Sequence, residues 1–114
     1  MVTTDCLFCK FATKEISVDF VYESENVFAI KDISPQAPTH VLIIPKSHFA
    51  NAPELAEAES ATLAAIFTAA EKIASDSGLD GFRTVFNAGA RAGQSVFHAH
   101  LHLLGGRPFA CPPG

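Results

Sequence analysis

His98, His100 and His102 occupy alternate positions in the run Phe97-His-Ala-His-Leu-His-Leu103. Side chains on a β-strand point to opposite faces with a period of two. A strand here therefore puts the three imidazoles on one face and Phe97, Ala99, Leu101 and Leu103 on the other. That apolar face predicts packing against a helix, while the imidazoles line a pocket. Buried imidazoles are costly unless each finds a partner. Near neutral pH, imidazole with its ordinary pKa of ~6.5 serves as nucleophile, proton carrier or metal ligand. Three readings compete. Plain surface histidines would have to cluster by chance, in a chain with only five His. A single metal held by all three meets a distance problem. Positions i, i+2 and i+4 of a strand spread over about 13 Å at ~3.3 Å per residue, whereas metal–nitrogen bonds are ~2.1 Å. The third reading is nucleophilic or acid–base catalysis, with the central imidazole acting and its neighbours orienting it.

Gly93-Gln94-Ser95 lies directly before this run. A glycine loop can turn backbone N–H groups toward an anion, and a serine adds a hydroxyl. Alone the tripeptide says little; beside the histidines it points to an oxyanion or phosphate site.

The elements that must position these residues follow from periodicity and punctuation. Cys6 to Ile16 reads as a short helix or knuckle carrying Phe8 and Phe11. Phe20-Val-Tyr22 and Val27-Phe-Ala-Ile30 are β-rich runs separated by Glu23-Ser-Glu-Asn26, a hairpin pattern. Asp32 to Pro38 is a proline-marked loop, and Val41-Leu-Ile-Ile44 is a buried central strand stopped by Pro45. Leu63, Ile66, Phe67, Ala70, Ile73 and Ala74 recur at the spacing of one helical stripe, with Gly78 as a C-terminal stop. Phe82 to Phe86 is a further strand, Asn87 to Ser95 a glycine-bearing loop, and Val96 to Leu104 a final strand. Strands gathered around one dominant helix indicate α+β with a mostly antiparallel sheet.

Size and charge narrow the classes. The 114 residues suit one domain, 1–114. Eight Lys and Arg against twelve Asp and Glu give a net charge of -4. That argues against a general nucleic-acid binder, which would show a basic stripe, but not against a mononucleotide site. Nothing reads as a membrane span or secretory leader. Three Cys, an odd number, argue against a disulfide framework and for a reducing, cytoplasmic setting.

With these residues in place, the chain resembles the histidine-triad superfamily. The resemblance runs from Asp32-Ile-Ser-Pro-Gln-Ala-Pro-Thr-His40 through Ile-Ile-Pro-Lys46 to Gly-Gln-Ser-Val-Phe-His-Ala-His-Leu-His-Leu-Leu-Gly-Gly-Arg107 and Pro-Pro-Gly114. Together these are most similar to the nucleoside phosphoramidase branch. The resemblance implies a five-stranded antiparallel sheet with one long and one short helix, two sheets joining in a homodimer. It implies hydrolysis of purine nucleoside 5′-phosphoramidates, of the AMP–amine and AMP–lysine type, with AMP or GMP as product. His100 would form a nucleotidyl-histidine intermediate, His102 would hold charge on the phosphate, and Ser95 with its neighbouring backbone would assist the leaving amine. Asn87, Gly93 and Gln94 would lie about the phosphate, and Asp32 would accept from the ribose hydroxyls. His40 would sit behind the catalytic histidine and help set its protonation. Ile33, Phe8, Phe11 and Ile30 would form the slot for the base. Read without the resemblance, Asp32 is equally a turn former, His40 a strand cap, and the four apolar residues ordinary core. A dinucleoside polyphosphate hydrolase, or a nucleotide-sensing adaptor with little turnover, are the alternatives.

Cys6-x-x-Cys9 has the spacing of a zinc half-site and needs two more ligands. Buried free thiols explain the pair as well. The resemblance supplies a set: Cys6, Cys9, His48 and His98 around a structural zinc. Cys111 departs from the branch, which often has a large aromatic before the final Pro-Pro-Gly. In that branch the tail reaches the neighbouring subunit's site, so leaving-group preference is in question.

Overall fold

The computed structural model of the chain describes residues 5–113; residues 1–4 and the Gly114 of the tail motif lie outside the described residues. Its elements are α1 (Leu7–Ala12), β1 (Tyr22–Glu23), β2 (Val27–Lys31), β3 (Thr39–Pro45), α2 (Ala52–Ala58), α3 (Ser60–Asp76), β4 (Phe82–Phe86), a 3-10 turn (Ala90–Ala92) and β5 (Leu101–Gly105). The strands form one antiparallel sheet in the order β1-β2-β3-β5-β4.

β2 and β3 are apolar at nearly every position because both faces of the sheet are covered. Alternation then sorts their residues. Val27, Ala29, Val41, Ile43, Leu101 and Leu103 face α3, against Ile66, Ala69, Ala70 and Ile73 of its buried stripe. Phe28, Ile30, Leu42 and Ile44 face the other way, where Phe8 and Phe11 of α1 cover them. Each fully buried side chain of this size contributes ~1.5–3 kcal/mol relative to exposure. The register carries the pocket: Ile30 pairs with Leu42, and Leu42 with His102, so these three stand in one row across the face that α1 covers.

The expected five-stranded antiparallel sheet with one long helix, α3, and one short helix, α1, is present, and a further short helix, α2, precedes α3. Asn51 caps α2, accepting from the Glu54 amide at 3.0 Å, and Pro53 follows within the first turn. Asn-x-Pro-Glu is an N-terminal signature legible in the sequence. The break at Glu59 carries no Gly or Pro; Glu59 leaves helical geometry and accepts from the Thr62 hydroxyl at 2.9 Å. The final strand is shorter, beginning at Leu101 rather than Val96. Residues 96–100 leave the ladder because Ala99 donates to the Phe49 carbonyl at 2.7 Å instead of to a neighbouring strand. Phe97 consequently does not join the helix-facing row; it is 51% exposed.

Candidate functional site

His100 and His102 open into a cavity of about 320 Å³ between α1, the sheet and the loop 87–96. Its apolar wall is Leu7, Phe8, Phe11, Val18, Ile30, Leu42 and Val96, and its polar rim is Asp32, Asn87, Gly93, Ser95 and the two histidines. Gly93 has φ +97°, a left-handed backbone that side-chain-bearing residues rarely adopt, and it lets the loop turn back over the rim. A larger, more open concavity of about 600 Å³ lies by Arg83 and Arg107. Neither a histidine nor a cysteine lines it, whereas the smaller cavity carries two histidines and Asp32.

The hydrogen bonds decide which ring nitrogen carries a proton. His100 Nδ1 lies 2.8 Å from the His98 carbonyl, which only accepts. Nδ1 therefore bears the proton, leaving a lone pair on Nε2. Burial pushes the His100 pKa down, keeping the ring neutral. His40 is held oppositely. Its Nδ1 accepts from the Gln36 amide at 3.0 Å, so its proton sits on Nε2. That Nε2 faces His102 Nδ1 at 2.9 Å and Asp32 Oδ2 at 3.3 Å. By accepting at Nδ1, His102 is left with Nε2–H as a donor. Burial, followed by the neighbouring His100 and His40, depresses the His102 pKa to about 4. Asp32 Oδ1 accepts from the Ser34 amide at 2.8 Å, so the turn-forming role is present; Oδ2 joins the histidines.

A second cluster lies behind the first. Cys6 Sγ and His48 Nδ1 are each 3.2 Å from His98 Nδ1. Cys9 Sγ is 3.4 Å from His48 Nδ1 and 3.5 Å from His98 Nδ1. Ligands bonded at ~2.1–2.3 Å to one tetrahedral centre stand ~3.4–3.8 Å apart, close to these edges. The tautomer fits as well: His98 Nε2–H donates to the Pro45 carbonyl at 2.7 Å, turning the Nδ1 lone pair toward the sulfurs. Burial depresses the His98 pKa to about 4, so the ring is neutral and its Nδ1 lone pair could serve a cation. Cys6 also caps α1, accepting from the Cys9 amide at 3.4 Å, which orients its sulfur. Burial raises the Cys6 thiol pKa, so a thiolate there needs a cation beside it. These four residues could hold a metal ion.

The structure thus brings together Cys6, Cys9, His48 and His98, and at the cavity Phe8, Phe11, Ile30, Asp32, Ile33, Asn87, Gly93, Ser95, His100 and His102. Ile33 lines the rim but is 98% exposed. Two placements differ from the sequence reading. His40 touches His102, not His100, because β3 and β5 pair with His40 opposite Leu104. Gln94 does not line the cavity. Its side chain is buried, with Oε1 accepting from Gly89 at 2.8 Å and Nε2 donating to the Ala50 and Val96 carbonyls at 2.6 and 3.0 Å. Leu7, Val18, Leu42 and Val96 went unselected; for Leu42 the signal was its place in the same strand row as His102.

Residues 13–109 match the family described as HIT domain. The chain is 44% identical over 114 residues to an uncharacterized HIT-like protein of Synechococcus elongatus, covering 99% of this chain and all of that one. It is 42% identical over 106 residues to the purine nucleoside phosphoramidase of Escherichia coli K12, covering 91% and 89%. A HIT family hydrolase from Legionella pneumophila superposes with a TM-score of 0.91 at 50% identity, over 96% of this chain and all of that one. Family match, fold and site agree: the chain belongs to the HIT-domain family.

Proposed function

We propose that the protein hydrolyses purine nucleoside 5′-phosphoramidates, releasing AMP or GMP and an amine. The observation that carries this reading is the His100 tautomer, with Nδ1–H committed to the His98 carbonyl and a lone pair left on Nε2. Nε2 attacks the α-phosphorus while the phosphorus–nitrogen bond breaks, and the amine departs with a proton drawn from the Ser95 side of the cavity. Water then attacks the nucleotidyl-imidazole and gives up a proton that replaces the one the amine took from the Ser95 side. The phosphorus–imidazole bond breaks with its electron pair returning to His100 Nε2, and the nucleoside monophosphate leaves. His102 offers Nε2–H to the phosphate oxygens, a preorganised donor that costs no reorganisation as charge develops. Asn87 and the Gly93 backbone border the same oxygens. Asp32 Oδ2 meets the ribose hydroxyls, and Phe8, Phe11, Ile30 and Ile33 enclose the base. His40 acts on His102 by fixing its tautomer. The similarity to the E. coli phosphoramidase supports this substrate class.

The Cys6, Cys9, His48 and His98 set suits zinc, whose preferred ligands are sulfur and imidazole nitrogen in a tetrahedron. With four protein ligands such an ion is structural, pinning α1 and residue 98 together and leaving no open position for substrate. A homodimer is part of the reading. β4 is an edge strand with five paired residues on one side only; its own Phe82 is 41% exposed, and Phe67 of α3, packed against Phe86, is 45% exposed. Light scattering at a mass of two chains is the expected outcome.

The deciding experiment supplies adenosine and guanosine phosphoramidates and diadenosine polyphosphates to the protein and to His100→Ala. Turnover of the phosphoramidates by the wild type alone is expected. Equal turnover by the variant removes the nucleophile, and preference for polyphosphates moves the protein to that substrate class.

A further inference from the structure

Two sites that the family reading treats separately share one short helix and one side chain. In α1, Cys6 as the cap and Cys9 belong to the metal-ligand cluster, while Leu7, Phe8 and Phe11 wall the cavity. The ring of Phe8 is 4% exposed and stands edge-on to two histidines. One is the ligand His98, with centroids 5.9 Å apart; the other is His100, at 5.1 Å. A second bridge is covalent and hydrogen-bonded, since the His98 carbonyl fixes His100. This stretch is not held by the sheet ladder, which begins at Leu101. Its position depends on the Ala99 bond to Phe49, the His98 bond to Pro45 and whatever holds Cys6, Cys9 and His48 to His98.

We infer that metal loading at Cys6, Cys9, His48 and His98 and nucleotide binding in the cavity are thermodynamically coupled, with Phe8 as the positioning residue that transmits the coupling. This rests on the zinc and nucleotide reading above. A metal ion fixes α1 against residue 98, which sets the base wall and the His100 ring in their binding geometry. Without it α1 is tied to residue 98 by apolar contacts and by the weaker sulfur–imidazole hydrogen bonds of Cys6 and Cys9, and the wall and ring share a looser reference. Linkage makes the effect reciprocal: the factor by which metal tightens nucleotide binding equals the factor by which nucleotide tightens metal binding. Phe8 is the transmitter because, among the described residues, it is the side chain with ring contacts to both His98 and His100.

The test measures binding rather than turnover. Calorimetry with AMP compares zinc-loaded with chelated protein, and a chelator titration measures zinc retention with and without saturating AMP. AMP binding is expected to weaken about 5-fold or more on zinc removal, and the half-stripping chelator concentration to rise by a matching factor when AMP is present. The chelator titration starts from loaded protein, so it holds even if the stripped form unfolds. In Phe8→Leu, which also trims the base wall, AMP affinity is expected to fall, most in the zinc-loaded protein, so that the factor between loaded and chelated protein collapses toward one. Equal AMP affinity with and without zinc, together with an unmoved chelator midpoint, overturns the inference and leaves the proposed function standing. An undiminished shift in Phe8→Leu overturns the role of Phe8. Protein that retains no zinc, or binds no AMP, overturns the reading beneath and this inference with it.

Discussion

Two clusters of donor atoms sit within a few residues of each other and are wired in opposite senses. In Cys6, Cys9, His48 and His98, the His98 proton is drawn outward to the Pro45 carbonyl, so lone pairs converge on the centre. In Asp32, His40 and His102, the Gln36 amide takes the outer nitrogen of His40 and forces the proton inward, among the other donors. By composition and proximity both sets could hold a metal ion. The hydrogen bond at the back of one ring decides otherwise. A converging set of lone pairs suits a cation; a set with a proton already inside suits passing hydrogen bonds toward a phosphate. The lesson is that the second partner of an imidazole, often a backbone group far away in sequence, sets what the first can do.

The contrast can be broken by substitution. His100→Ala is expected to lower phosphoramidate turnover by about 10³-fold or more, the scale on which nucleophile removal acts, with zinc content unchanged by elemental analysis. Next in size, Cys6→Ser with Cys9→Ser is expected to abolish stoichiometric zinc and lower Tm by about 10 °C or more, as loss of ~2 kcal/mol does in a domain near this size. The wild type should take up one zinc per chain; a second equivalent removed by His40→Gln would undo the distinction between the clusters. His40→Gln itself is expected to reduce kcat about 10- to 100-fold with little change in KM, because it frees the His102 tautomer without touching the base slot.

The smallest effect is a pH dependence. The His102 pKa lies near 4 in the fold against an ordinary 6.5, driven down by burial, then by His100 and His40, and partly offset by Asp32. As pH falls the unfolded chain takes up the proton first, so stability is lost between these two values and unaffected by this group above 6.5. Urea unfolding should show about 2 kcal/mol lost through this ring between pH 7 and pH 5, and His102→Asn should remove that share of the slope.

Much of this was legible in the chain. Apolar runs at 27–30 and 41–44 required strands covered on both faces, and the stripe from Leu63 to Ala74 required a helix over one of them. The triad's shared face survived, even though only His102 of the three lies in a strand. What was hidden depended on distant partners. The ladder was lost at 96–100 because Phe49, half the chain away, captured the Ala99 amide. Gln94 read as a phosphate contact because nothing local shows that the Ala50 carbonyl would claim it. His40 changed neighbours through strand register, which periodicity alone does not set.

The carbonyl of His98 has one more implication. The atom that fixes the His100 tautomer belongs to the main chain, so no substitution at position 98 deletes it. A descendant or an engineered form that exchanged all four sulfur and nitrogen groups for apolar side chains would keep this acceptor atom, but packing would have to take over the placement that the His98–Pro45 bond and the contacts of Cys6, Cys9 and His48 now give it. A hydrophobic plug could replace the sulfur and imidazole cluster only if it held the main chain at residue 98 in the same place.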